Sequence, residues 1–251
     1  MSEEEMLQKR LRELAERAYS QSRYTCTGFL SLAEQSVLAG MERDLSFIPW
    51  RLYGGREGCE RQMAMFGSEE LFGYPEDFPI ALLQVSPVME KFADKLTHRD
   101  FLGAILHLGL ERSVVGDILV AGAGAYLFCQ ETMADFLCEN LVQVKHTHVR
   151  CQRAEAIPQE LQPKSVERVL TAASERADVV AAALWGKSRS QILELFRQKK
   201  VFINGRETEN PSCLLKPGDC LVVRGFGKAY YRGMEGETKK GRCRLRLEVL
   251  V

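Results

Sequence analysis

The stretch Ser188–Arg206 constrains this chain more than any other, because a helical and a β-type pattern meet inside it. Ile192, Leu195 and Phe196 recur at the i, i+3, i+4 spacing of one helical face. Val201-Phe202-Ile203 follows as a short apolar β-type run, closed by Asn204-Gly205, a strong two-residue turn signal. The pattern predicts a helix over 188–200, a strand over 201–204 and a turn. Basic residues stand at both ends of that helix and in the turn: Lys187 and Arg189, then Arg197, Lys199, Lys200 and Arg206. Such a distribution suggests a surface for phosphates.

The charge balance points the same way. A formal net charge of +0 over 251 residues hides a split. Residues 1–163 carry 16 Lys and Arg against 24 Asp and Glu, and residues 164–251 carry 18 against 10. Asymmetry of this kind marks a nucleic-acid-binding segment, and that reading outweighs the alternative that the two parts merely attract each other. The chain is long enough for two domains or three small ones. Its eight cysteines show no Cys-x-x-Cys and no paired Cys/His spacing, so reduced thiols are expected, with no metal site. The acidic start Met-Ser-Glu-Glu-Glu-Met is not a secretory leader, and apolar runs such as 179–185 are too short to cross a bilayer. A cytoplasmic protein without membrane insertion is expected.

In chain order, residues 3–19 predict an amphipathic helix, and Ser31-Leu-Ala-Glu34 a capping box opening a helix over 35–41. Residues 47–53 are strand-like, with Pro49 confining them to an edge or a strand start, and 58–66 predict a turn and a strand. From Pro79 the order is strand (80–85), helix capped by Thr97-x-x-Asp100, strands (117–121 and 125–129), helix from Thr132, and one strand over 142–149. This is βαββαβ, the ferredoxin-like split unit, which does not by itself give function. Residues 151–164, with Pro158 and Pro163, read as a linker. The basic third then predicts a helix prepared by 165–174, helices over 177–185 and 188–200, strands over 201–204 and 220–224, and a turn at 214–219. At the end, Arg242, Arg244 and Arg246 alternate with Cys243, Leu245, Leu247 and Val249, which places three arginines on one face of a strand. That face suggests RNA, although exposed edge strands also carry charge to prevent aggregation.

Arg176-Ala-Asp178, Lys187-Ser188-Arg189-Ser190, Lys200-Val201, Asn204-Gly205 and Lys216-Pro217-Gly218-Asp219 together resemble the RNA-binding domain of ribosomal protein S-four, over about residues 165–231. The chain departs from that pattern at Ala177, usually Leu, and at Lys199, usually Gly. Gly54-Gly55-Arg-Glu-Gly58-Cys-Glu60-Arg61, Leu96-Thr97-His98-Arg99-Asp100-Phe101-Leu102-Gly103-Ala104 and Gly116-Asp117-Ile118-Leu119-Val120 resemble hallmarks of the YlmH family, and this likeness extends over nearly the whole chain. It implies an α+β protein in three parts: a small α+β domain (1–75), a ferredoxin-like domain (76–155) and an S-four-type domain with a strand extension (165–251). It further implies association with the ribosome, on large subunits carrying peptidyl-tRNA, and, through gene neighbourhood, a link to cell division.

The RNA-binding set that follows is Arg176, Lys187, Ser188, Arg189, Ser190, Arg197, Lys199, Lys200, Asn204, Arg206, Arg224 and Lys228. His98, Arg99, Arg242, Arg244 and Arg246 are secondary candidates. Arg189 can fork onto a phosphate at the start of its helix, where Ser188 and Ser190 cap and donate. Arg176 and Asp178 either pair or cap a helix. Thr97-His98-Arg99-Asp100 lacks the other kinase elements, and Gly122-Ala-Gly124 lacks the third glycine of a dinucleotide site. No nucleophile–base pair can be argued, so no catalytic residue and no cofactor is assigned. A non-catalytic factor for structured rRNA or tRNA is expected. Its alternatives are an RNA-modifying enzyme of the pseudouridine synthase or methyltransferase type and a cell-division interaction protein. The acidic N-terminal parts offer a surface to a protein partner.

Overall fold

The computed structural model describes residues 2–162, 164–239 and 241–250. The chain forms two compact units, Met1–Glu34 with Met41–Gln162, and Gln35–Gly40 with Pro163–Val251. Among the described residues no helix is long and apolar enough to cross a membrane.

The first unit opens with α1 (Glu3–Gln21), whose start is fixed by a reciprocal Ser2–Glu5 capping box and whose buried stripe is Leu11, Ala15 and Ala18. Strands β1 (Thr25–Leu30), β2 (Trp50–Tyr53) and β3 (Gln62–Phe66) pair antiparallel in the order β1-β3-β2. In sequence α2 (Leu32–Gly40) falls between β1 and β2, its residues 35–40 belonging to the second unit, and α3 (Glu69–Phe72) follows β3. A second sheet is built from β4 (Ile80–Pro87), β5 (Val115–Ala121), β6 (Gly124–Gln130), β7 (Gln143–Val144) and β8 (Thr147–Arg153), in the order β5-β6-β4-β8-β7. Helices α4 (His98–His107) and α5 (Ala134–Asn140) connect its strands. Phe101, Ile105, Ala134 and Leu137 from these helices share one core with Leu83, Val85, Leu127 and Cys129 of the sheet.

The opposite face of this sheet is also covered. Phe128 of β6 is buried with Phe29, Cys59 and Met63, and Ile80, Leu82 and Leu119 pack against that cluster. The Asp117 carboxylate fastens the intervening loop by accepting the Glu60 and Arg61 amides at 2.7 and 3.0 Å. Arg61 Nη2 donates to the Phe29 carbonyl at 2.6 Å. Gly55 has φ +99°, and a Cβ there would sit 2.2 Å from the Phe128 ring.

In the second unit β9 (Ser165–Ala172) precedes α6 (Ala177–Trp185) and α7 (Arg189–Arg197). Strands β10 (Val201–Ile203), β11 (Arg206–Glu207), β12 (Cys220–Val223), β13 (Gly227–Glu237) and β14 (Cys243–Leu250) follow. The sheet order is β11-β10-β12-β13-β14-β9. Val180, Leu184, Ile192 and Phe196 of the helices close over Leu221, Val223, Tyr231, Leu245 and Leu247.

Four sequence expectations need correction. Residues 142–149 form a hairpin that turns at Lys145, held at φ +52°, not one strand. The expected linker gives Cys151–Arg153 to β8, and its Pro163 lies outside the described residues. Residues 165–172 are a strand, not the approach to a helix, because eight consecutive residues pair with β14. That pairing also makes β14 interior, so its arginines protect no edge. The longest strand, β13, interrupted by bulges near Gly233 and Gly236, has no counterpart among those expectations.

Gly55→Ala is expected to destabilise the protein by about 1–3 kcal/mol, since the methyl must displace a buried ring and the backbone disfavours any side chain. A urea midpoint equal to the wild type would refute the close packing described for that loop.

Candidate nucleic-acid interface

The short turn between α6 and α7 places two arginines on one carboxylate. Asp178, in the first turn of α6, has a side chain with no exposed surface. Arg176 grips it with Nε to Oδ1 and Nη2 to Oδ2, both 3.0 Å. Arg189, at the start of α7, donates Nε to Oδ2 at 3.0 Å. A buried carboxylate needs such partners, because leaving water unpaired costs several kcal/mol. The arrangement answers the alternatives for Arg176 and Asp178, which pair. The side chain of Arg189 remains 61% exposed, and its Nη groups have no recorded partner among the described residues.

The backbone around this pair is locked. Ala177 and Asp178 donate their amides to the Cys213 and Pro211 carbonyls at 2.8 and 3.1 Å, and Leu215 donates to Glu175 at 3.0 Å. Tyr231 donates its hydroxyl to Glu175, and burial, reinforced by that carboxylate, pushes the phenol pKa upward. Ser188 caps α7 by accepting the Gln191 amide, while Gln191 Oε1 accepts the Ser188 amide at 3.0 Å. Ser190 Oγ lies 3.0 Å from Ser188 Oγ. Arg176, Ser188, Arg189 and Ser190 thus belong to one neighbourhood at a helix N-terminus, where amides and dipole favour an anion.

A second group gathers nearby. The Arg224 amide donates to the Lys200 carbonyl at 2.8 Å where β10 begins and β12 ends. The next turn carries Phe226, 38% exposed, with Lys187 Nζ 5.4 Å from its ring centre and Trp185 edge-on at 6.5 Å. Lys228 Nζ stands 5.3 Å from the Tyr230 ring.

The remaining candidates lie outside these two groups. Lys199 has φ +55°, which explains why glycine is usual there, and its Nζ bridges Glu207 at 3.2 Å and Glu209 at 3.4 Å. The hydrogen bond to Glu207, with Glu209 beside it, raises its pKa. Arg197 lies 3.5 Å from Glu194. Asn204 and Gly205 both have positive φ and form the turn between β10 and β11, with Asn204 also bonding Asp219 and the Cys220 amide, each at 2.8 Å. Arg206 Nη2 donates to the Ala39 carbonyl at 2.9 Å, in the 35–40 segment of the same unit. Arg244 and Arg246 lie 3.9 and 3.8 Å from Glu235, and the Arg242 backbone closes the preceding turn through Thr238. His98 and Arg99 belong to the first turn of α4 in the other unit.

Sequence reasoning missed the role of Gln191, although Ser188-x-x-Gln191 is a capping-box pattern. It also missed Trp185 and Phe226, which no short motif marks.

Arg176→Ala is expected to lower the stability of the second unit by on the order of 3 kcal/mol, because the buried Asp178 carboxylate loses the guanidinium that bonds both its oxygens. Urea unfolding followed by Trp185 fluorescence in a Trp50→Phe background measures it, and an unshifted midpoint would contradict the structural role.

Residues 74–157 match the family model described as "Putative RNA-binding domain in YlmH". A curated protein of Bacillus subtilis (strain 168), "Ribosome-associated protein quality control protein P2", is 30% identical over 232 residues, covering 91% of this chain and 88% of that protein. A solved structure, "Cell division protein ylmH from Streptococcus pneumoniae", is 20% identical with a TM-score of 0.49, covering 61% of this chain and 92% of that one.

Proposed function

The chain belongs to the YlmH family, and from that premise we propose that it is a non-catalytic RNA-binding protein of the ribosome. Its second unit binds structured rRNA or tRNA through an S-four-type surface. The observation that carries this reading is Arg189, held by buried Asp178 through Nε alone and otherwise presented outward at a helix N-terminus. An arginine anchored at one edge keeps its fork free of rotamer disorder, so less entropy is lost when it meets a phosphate. Lys187, Lys200 and Arg224 extend the track, and Phe226 adds an aromatic face for a base.

Further support comes from the basic excess of residues 164–251, the family description of residues 74–157, and the name of the Bacillus relative, which places that protein in ribosome-associated quality control. The reading extends to large subunits that still carry peptidyl-tRNA. There the protein would position RNA, with no reaction assigned to any side chain.

Lys187→Ala combined with Lys200→Ala leaves the Asp178 pairs untouched. Each phosphate that the variant no longer neutralises should reduce the magnitude of the log K against log salt slope by about 0.7–0.9. Filter binding to tRNA and co-sedimentation with large ribosomal subunits measure the effect. Unchanged affinity and slope in the folded double variant would refute the surface, and failure of the wild-type protein to co-sediment would refute the ribosomal role.

A further inference from the structure

Arg99, Gly103 and His107 lie at i, i+4 and i+8 on α4 and so share one helical face. Across from them Leu141 and Val142, just before β7, and Lys145, at the turn of the β7–β8 hairpin, form the other wall of a groove of about 620 Å³. That is within the roughly 300–1,000 Å³ of ligand-sized sites. All of these residues fall in the segment that the family model matches.

Three features indicate what the groove accepts. Arg99, His107 and Lys145 line it, and the one acidic lining residue, Asp100, is already committed. Asp100 closes the Thr97 capping box at 2.7 Å and lies 3.0 Å from Lys145 Nζ, and those hydrogen bonds hold its carboxyl at about 2. With Asp100 and Lys145 offsetting each other, Arg99 is the surplus charge, and the groove favours an anion.

Gly103 is the second feature. It lies within a ten-residue helix, where glycine is disfavoured relative to alanine, yet a Cβ added there would meet nothing within 4 Å. The protein's own packing does not require a glycine at this point. Its effect is to leave the groove floor bare, so that a flat ligand can approach the helix backbone closely.

The third feature is the buried sheet face. RNA-binding domains of βαββαβ order commonly stack bases on an open sheet. In this protein Phe29, Cys59 and Met63 already cover that face around Phe128, so base contacts in this unit have to form elsewhere.

We propose that the α4–hairpin groove receives one unpaired nucleotide of an RNA chain. Its base lies over Gly103 against Val142, and the flanking phosphates meet Arg99 and Lys145. This rests on the RNA-binding reading above and adds a second contact point, on the first unit, selective for unpaired RNA.

The test uses the full-length protein and a single-stranded RNA 12-mer carrying 4-thiouridine, crosslinked by light, with the modified peptides identified by mass spectrometry. Crosslinks within 99–108 or 140–145 are expected, falling about tenfold in Gly103→Gln, whose side chain fills the groove floor. The thermal midpoint of that variant should stay level or rise, since glutamine is the better helix former. Gly103→Ala, which fills less, should fall between the two. Undiminished crosslinking in folded Gly103→Gln overturns the proposal. Wild-type crosslinks confined to 187–228, or no crosslink at all, also overturn it, and the C-terminal surface is judged separately by its binding to tRNA.

Discussion

A single buried carboxylate organises the C-terminal unit. Asp178 has no exposed side-chain surface, and its two oxygens accept from Arg176 on one side and Arg189 on the other. Because Arg176 precedes α6 and Arg189 begins α7, satisfying the charge fixes how the two helices meet. The apolar stripe that pins α7 to the sheet sets its depth, and the ion pairs set its rotation about that stripe. Packing alone tolerates small rotations, whereas a buried unpaired charge does not. The cost of dehydrating Asp178 is thus turned into the orientation of a cation facing solvent.

The first unit shows a comparable economy. The glycine-rich stretch at 54–61, a hallmark on which the family likeness rests, makes contacts that hold sheets together. Gly55 lies against Phe128, Asp117 takes the two amides of Glu60 and Arg61, and Arg61 reaches the Phe29 carbonyl. A sequence signature is easily taken for a reaction centre. Here its residues are occupied with backbone groups and a ring, and the loop's own amides are taken up by the Asp117 carboxylate of β5.

How much of this was legible depends on where the determining contacts lie. Helices α1, α4 and α7 could be read because their caps and stripes are local: Leu11 with Ala18, Thr97 with Asp100, and Ile192 with Phe196. Asn204-Gly205 gave its turn for the same reason. Strand β9 could not be read, since Ser165–Ala172 is largely exposed and becomes a strand only by pairing with β14. In β13 glycines and bulges broke the alternation that would have revealed it. Of the basic candidates, Arg176 and Arg189 were found by motif, and pairing of Arg176 with Asp178 was one of two readings, but the bond from Arg189 to the same carboxylate was not foreseen. The acidic partners of Lys199 were equally invisible, because which cations are neutralised depends on side-chain reach, whereas Glu194 stands three residues before Arg197 on the same helix and was open to reading by spacing.

The pairing of β9 with β14 also has a temporal consequence. Ser165 lies opposite Leu250 and Ala172 opposite Cys243, so the ladder joins segments nearly eighty residues apart in the chain. Such a ladder forms late, since a long loop must close before its hydrogen bonds reward the closure. During synthesis β9 emerges first and remains without its partner until residues 243–250 have been added. A chain still being made therefore cannot complete the sheet on which α6 and α7 rest, and its cationic surface matures only after that final ladder is in place.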